Sequence, residues 1–292
     1  MTEAASFVLP VDKPEGPTSH DVVAIARRAF GVRRIGHTGT LDPFASGLLL
    51  LCVGEATRIA EYLTDLRKTY RAVARLDGNT LTDDNTSEIS DGSDRWRQLS
   101  ADEVEHAMQA QVGEIMQVPP QYSAKKVAGE RAYDIARRGD VATLTPARVT
   151  IYRIAVLSVE LPQLEFEVEC SSGTYIRSIA RDVGASLGTG GYLTRLRRTR
   201  IGNHDVSDAV AADDLGNGAK VRAAALTPVR ALSHLPALEL TEEQERAIRF
   251  GQAVATELRP EGAILLVRSA KLIAIGEVEG TRLRPRKVFS EA

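Results

Sequence analysis

The pattern of apolar and polar residues divides the chain into short elements of two kinds. Phe7 to Asp12 reads as a strand that stops at the turn cluster Lys13-Pro14-Glu15-Gly16-Pro17. Thr18 or Ser19 can cap a helix whose apolar positions are Val22, Val23, Ile25, Ala26, Ala29 and Phe30, with Gly31 as its stop. Leu48 to Val53 is apolar without interruption, as in a strand buried on both faces, and Glu55 to Leu63 reads as a short helix. From Lys68 to Leu76 the period is two, with Tyr70, Ala72, Ala74 and Leu76 on one face and basic residues on the other.

Thr80 to Gln98 is acidic and rich in turn residues, which predicts a surface loop. Ser100-Ala101-Asp102-Glu103 is a capping box for a helix running to about Val112, and Pro119-Pro120 then breaks the chain. A short basic helix is expected from Glu130 to Arg138, ending at Gly139. Strands near Val149–Glu160 and Leu164–Cys170, a helix over Thr174–Leu187 and a basic strand over Tyr192–Ile201 follow. Strands and short helices without regular βαβ alternation predict an α+β fold around a largely antiparallel sheet with flanking helices.

A boundary falls near Ser233–Pro236, so the expected domains are 1–233, with an insertion at about 121–148, and 234–292. In the second, Thr241-Glu242-Glu243-Gln244 caps a helix to Phe250, and Ala263–Val267, Leu272–Val278 and Arg282–Phe289 read as strands. A β-rich module this small is marginal alone, so docking on the first domain is expected.

Composition adds exclusions. The longest strongly apolar run, Leu48–Val53, is far too short to span a bilayer. Met1 to Ala5 has no basic segment and no apolar core, so no signal peptide and a cytoplasmic protein are expected. Cys52 and Cys170 sit in apolar runs without C-x-x-C spacing and read as reduced core thiols. The net charge of −2 conceals an uneven distribution: Asp77–Glu105 holds nine acids and two arginines, whereas Arg177–Arg200 holds six arginines and one acid. Such asymmetry suits a face that meets a polyanion, although solvated faces that average out in space would read the same way.

The candidate chemistry is concentrated in Gly36-His37-Thr38-Gly39-Thr40-Leu41-Asp42-Pro43-Phe44-Ala45-Ser46-Gly47. Asp42 is a single acid in a loop punctuated by glycine and proline. Asp before Pro is also a good helix N-cap pair, an Asx-turn would serve as well, and from local physics alone such a cap is the simpler reading. No metal-ligand spacing, P-loop or nucleophile elbow occurs. Tyrosines interleave with bases at Tyr70-Arg71, Tyr122 before Lys125-Lys126, Arg131-Ala132-Tyr133, Tyr175-Ile176-Arg177 and Tyr192 before Arg195. Bases for phosphates beside rings for stacking point to looped or single-stranded RNA.

These residues resemble the TruB family of tRNA pseudouridine synthases. The Gly36–Leu49 block resembles the family signature. Val11-Asp12-Lys13-Pro14, Lys68-Thr69-Tyr70-Arg71, Pro119-Pro120-Gln121-Tyr122-Ser123-Ala124-Lys125, Cys170–Arg177 and Leu196-Arg197-Arg198-Thr199 resemble further family blocks in order. The tail, with Ile273-Ala274-Ile275-Gly276 and Arg284–Phe289, resembles a short PUA RNA-binding module. The resemblance implies a pseudouridine synthase-type sheet and isomerisation of uridine 55 in the T loop of tRNA. It implies no cofactor, no metal, no membrane association, no obligate protein partner and a monomer. It also implies that Asp42 is the nucleophile, attacking ribose C1′ or uracil C6. Tyr70, Tyr175, Arg177 and Leu196 would form the pocket, with Arg177 pairing with Asp42. His37 would fill the gap left in the RNA, and Lys13, Lys125, Lys126, Arg131, Arg137 and Arg138 would hold phosphates. Three alternatives remain at this point: a guide-RNA-dependent synthase subunit, a non-catalytic RNA chaperone, and a nucleoside glycosylase, which should carry a second acid.

Overall fold

The computed structural model describes residues 6–123, 125–127, 129–258 and 261–290, with Arg131 in its backbone alone. They form two compact units, one of the described residues within 1–43, 47–64 and 202–292, the other of those within 44–46 and 65–201.

In the first unit, strand Phe7–Lys13 lies antiparallel to Ser46–Val53, with Val11 opposite Leu49, and parallel to Val210–Ala211. Ile35–His37 also pairs with Ser46–Val53. Helix Ser19–Phe30 begins at a capping box between Thr18 and Asp21 and ends at Gly31, whose φ of 67° is the left-handed stop glycine allows. Its apolar stripe, Val22, Val23, Ala26 and Phe30, packs on Leu9, Val11, Leu49 and Leu51. Leu48, Leu50 and Cys52, on the other face of the same strand, are buried as well, which accounts for its unbroken apolar run. The expected helix after Val53 is a 3₁₀ turn, Gly54–Ile59, followed by one α-helical turn, Ala60–Thr64.

The same unit contains the C-terminal module, a five-stranded sheet with its own core of Leu240, Ile248, Ile264, Leu266, Ile273 and Leu283. The three expected strands are present, and short strands Ala237–Glu239 and Val254–Ala255 add an edge each. Arg58 joins the module to the N-terminal part of the unit. Its guanidinium donates to the Val288 carbonyl at 2.7 Å and lies 4.8 Å from the centre of the Phe289 ring. Lys287 pairs with Glu61 and donates to the Arg58 carbonyl.

In the second unit, strands Tyr192–Ile201, Lys68–Arg75, Gln163–Cys170, Ala147–Glu160 and Gly113–Gln117 pair antiparallel in that order. Leu164, Phe166, Val168 and Cys170 are buried on one face. Glu165, Glu167 and Glu169 alternate to the other, where they pair with Arg71, Arg153 and Arg67. Helices Ala101–Gln109 and Ile176–Leu187 pack against this unit's sheet. The turn after the second helix is unusually close. A Cβ on Gly191 would lie 2.1 Å from the Ala180 carbonyl oxygen, and one on Gly184 would lie 2.1 Å from that of Gly190.

Two further expectations need correction. The acidic segment is not simply a surface loop: Gly78–Thr80 and Ile89–Gly92 form a hairpin, and Asp84 between them is only 4% exposed. Arginines one helix away draw it inward, as described below. The basic helix begins at Ala132, because Glu130–Arg131 pairs as a strand with Lys126–Val127.

Candidate active site

In the first unit, Asp42 is half-buried, and both of its chain neighbours are pinned. The Ser19 hydroxyl accepts the Leu41 N–H at 2.8 Å and donates to the Leu41 carbonyl at 3.2 Å. The Pro43 carbonyl accepts the Gly16 N–H at 2.7 Å. No helix starts at Pro43; a turn over Pro43–Phe44 leads into strand Ser46–Val53. The cap reading of Asp42 therefore has no helix to cap.

Lys13 is fully buried. Its ammonium donates to the Pro14 and Pro17 carbonyls, each at 2.8 Å, and lies 3.5 Å from the Pro43 carbonyl. This corrects the expectation of a phosphate contact: a fully buried ammonium must find its partners within the protein, and these include main-chain carbonyls around the Asp42 loop. His37 is half-buried, 5.6 Å edge-on from the His20 ring, and its Nδ1 accepts the Gly39 N–H at 3.3 Å.

In the second unit, the sheet brings Tyr70 and Leu196 to one face. Tyr70 lies opposite Arg198 and Ala72 opposite Leu196, so the two are diagonal neighbours, and both are buried. The Arg198 guanidinium, itself buried, is 6.0 Å from the Tyr70 ring centre. Tyr175 is the N-cap residue of helix Ile176–Leu187 and is half-buried.

Arg177, in the first turn of that helix, is 3% exposed. It donates to the Thr82 carbonyl at 2.7 Å and the Tyr122 carbonyl at 2.9 Å, and it lies 3.6 Å from the Asp84 carboxylate. Arg181, one turn on, repeats this arrangement, with Asp83 at 3.0 Å and the Val118 carbonyl at 2.8 Å. Burial holds the Asp83 carboxyl above its ordinary range, against the opposing pull of Arg181 and Arg177. Asp83 and Asp84 were missed from sequence because an acidic turn carries no mark of the arginines that bury it.

The basic residues of the insertion lie apart from these buried groups in character. Lys125, Lys126, Arg137 and Arg138 are exposed. Arg138 pairs with Glu130, and Arg137 lies 5.8 Å from the Tyr133 ring, which packs edge-on against Tyr122. Arg131 opposes Lys126 in the short hairpin, but its side chain, like Ala124, lies outside the described residues. Burial raises the thiols of Cys52 to about 12 and Cys170 to about 11, as expected of core cysteines. Among the described residues, no three His, Cys, Asp or Glu side chains are placed to hold a metal ion, and no helix is long and apolar enough to cross a membrane.

The fold is that of the pseudouridine synthases. A chain from a structure of an H/ACA RNP bound to a substrate RNA containing 2′-deoxyuridine superposes with a TM-score of 0.75 at 25% identity, covering 99% of this chain and 86% of that one. A chain of a Cbf5-Nop10-Gar1 complex gives 0.73 at 26% identity, with 97% and 85% covered. Residues 27–176 match the family model for the N-terminal domain of TruB family pseudouridylate synthases, and residues 177–232 match that for the C-terminal domain of tRNA pseudouridylate synthase B. The tRNA pseudouridine synthase B of Ralstonia pickettii (strain 12J) is 40% identical, covering 96% of this chain and 93% of that protein. The protein of that name from Thermobifida fusca (strain YX) is also 40% identical, with 98% and 99% covered. The chain belongs to the TruB family of pseudouridylate synthases.

Proposed function

We propose that this protein isomerises uridine to pseudouridine in tRNA, at position 55 of the T loop, with Asp42 as the nucleophile. The observation that carries the assignment is a half-buried carboxylate between two pinned neighbours, on a loop that leads into no helix. A carboxylate whose chain neighbours are fixed in that way is preorganised for attack.

The reaction breaks the N1–C1′ glycosidic bond, turns the uracil, and joins C5 to C1′; C5 loses its proton and N1 gains one. Attack by the carboxylate at C1′ and attack at C6 both lead to this product. The target nucleotide must leave its stack, at a cost of a few kcal/mol. In this reading Tyr70 stacks on the flipped base and its hydroxyl takes the C5 proton. Tyr175 and Leu196 wall the pocket, and Arg177 pairs with Asp42. His37 fills the gap left in the T loop. Lys125, Lys126, Arg131, Arg137 and Arg138 hold phosphates, while Lys13 holds the Asp42 loop.

The protein acts as a monomer in the cytoplasm on bare tRNA. Residues 1–233 form the catalytic domain, with an RNA-binding insertion at 121–148, and the PUA-like residues 234–292 grip the acceptor end. The test is release of tritium from C5-labelled uridine in a tRNA transcript by the purified chain. Wild type should release it without any added guide RNA. Asp42→Asn should release none while binding the transcript with near wild-type affinity, and normal turnover by that variant would sink the assignment.

A further inference from the structure

Gln117 closes the strand Gly113–Gln117, and its side chain is buried. The amide oxygen accepts the Tyr175 N–H at 2.8 Å, and the amide nitrogen donates to the Tyr175 carbonyl at 3.1 Å. Both bonds go to the main chain of one residue, as a neighbouring strand would make them. Tyr175 is extended, with φ −99° and ψ 111°, and no side chain caps the helix it begins. The Gln117 amide therefore serves as a one-residue strand partner that holds Tyr175 extended just before the chain turns helical. That backbone geometry sets the direction in which the Tyr175 ring and, two residues on, the Arg177 side chain leave the chain.

The residues after Gln117 are stitched to the same helix. The Val118 carbonyl accepts from the Ser178 hydroxyl at 2.9 Å and from Arg181 at 2.8 Å, and the Tyr122 carbonyl accepts from Arg177. Gln121 repeats the two-bond device at the base of the insertion: its amide accepts the Ala142 N–H at 3.0 Å and donates to the Ala142 carbonyl at 3.1 Å. One amide thus closes the insertion on itself, and the other fastens the segment leading into it to Tyr175.

We infer that Gln117 is a positioning residue for the isomerisation: its amide sets the placement of Tyr175 and Arg177 against the flipped uridine and ties that placement to the insertion that begins at Gln121. The inference rests on the reaction proposed above. Gln117 itself touches no reacting atom.

Two variants of similar size test it by single-turnover pseudouridine formation and by affinity for the same transcript. Gln117→Met removes both bonds. Gln117→Glu keeps the acceptor for the Tyr175 N–H but sets a second oxygen against the Tyr175 carbonyl, and protonation of that buried carboxyl restores the donor. Gln117→Met should lose about 10- to 100-fold in rate, as a misplacement of about 1 Å does, with tRNA affinity little changed. The rate of Gln117→Glu relative to wild type should climb several-fold as the pH falls from about 8 to about 6, a profile that a general packing defect does not produce. A Gln117→Met protein that fails to fold leaves the pH profile of Gln117→Glu to decide. A flat relative profile, a wild-type rate in either variant, or equal losses of rate and affinity overturns the inference. If wild type forms no pseudouridine, the proposed reaction fails and this inference fails with it; an active wild type beside a flat Gln117→Glu profile overturns the inference alone.

Discussion

Two buried lysines show how burial decides what a charged side chain does. Lys13 and Lys68 both stand in sequence blocks shared with the family, and both are almost wholly removed from solvent. Lys13 donates to carbonyls around the Asp42 loop. A phosphate ligand and a loop pin predict different salt behaviour. Lys13→Met should slow turnover while leaving the slope of log affinity against log salt unchanged; loss of a phosphate contact would reduce that slope by about 0.7 to 0.9. Lys68 donates to the Leu66 carbonyl, and burial, with Arg198 nearby, pushes its ammonium down to about 8. The folded value lies below that of the unfolded chain, so between about pH 8 and about pH 10.4 the unfolded state binds more protons and stability rises with pH. The stability of Lys68→Met relative to wild type should therefore fall across that window, measured by urea unfolding at pH 7, 8, 9 and 10. A constant difference would contradict the assignment.

At the scale of elements, local signals served well wherever the stabilising partner is local. The capping boxes at Thr18, Ser100 and Thr241 are all formed, because the carboxylate or amide that completes each box is three residues away. Thr18→Ala should cost about 1 kcal/mol in thermal or urea unfolding. Close backbone approach is another matter. Nothing in the local sequence marks it at glycines 184, 190 and 191, yet a Cβ on Gly191 would meet the Ala180 carbonyl at 2.1 Å. Gly191→Ala should destabilise the second unit by about 1–3 kcal/mol or more, seen as a lower urea midpoint, whereas Gly173→Ala has open space but a φ of 80° and should cost less. The short basic helix was placed two residues early because Glu130 and Arg131 have a strand partner in Lys126–Val127 that a helical pattern does not reveal.

At the scale of the whole molecule, the tail module has a core of its own, and Arg58 and Lys287 are among the groups that hold it to the N-terminal part of its unit. Arg58 reaches it twice, at the Val288 carbonyl and the Phe289 ring, and is itself paired with Glu55 one turn back. Arg58→Ala should weaken this attachment by about 1–2 kcal/mol, read as faster amide exchange over Arg282–Val288 with exchange in helix Ser19–Phe30 unchanged. Equal acceleration in both would show that the attachment is not where the unit first opens.

By itself, the sequence determined the family, the order and type of most elements, and the candidate nucleophile. Period, capping and turn chemistry act over a few residues, and the family blocks are contiguous. The tertiary structure decided the tasks of individual buried polar groups. Lys13 reaches Pro43 across 30 positions, Gln117 reaches Tyr175 across 58, and Arg177 reaches Thr82 across 95. Nothing in a local window announces such partners. Each of these groups is buried, and a buried polar group must find its hydrogen bonds among whatever the fold brings beside it. For the same reason Asp42 could be read as a helix cap until the chain after it was seen to turn into a strand.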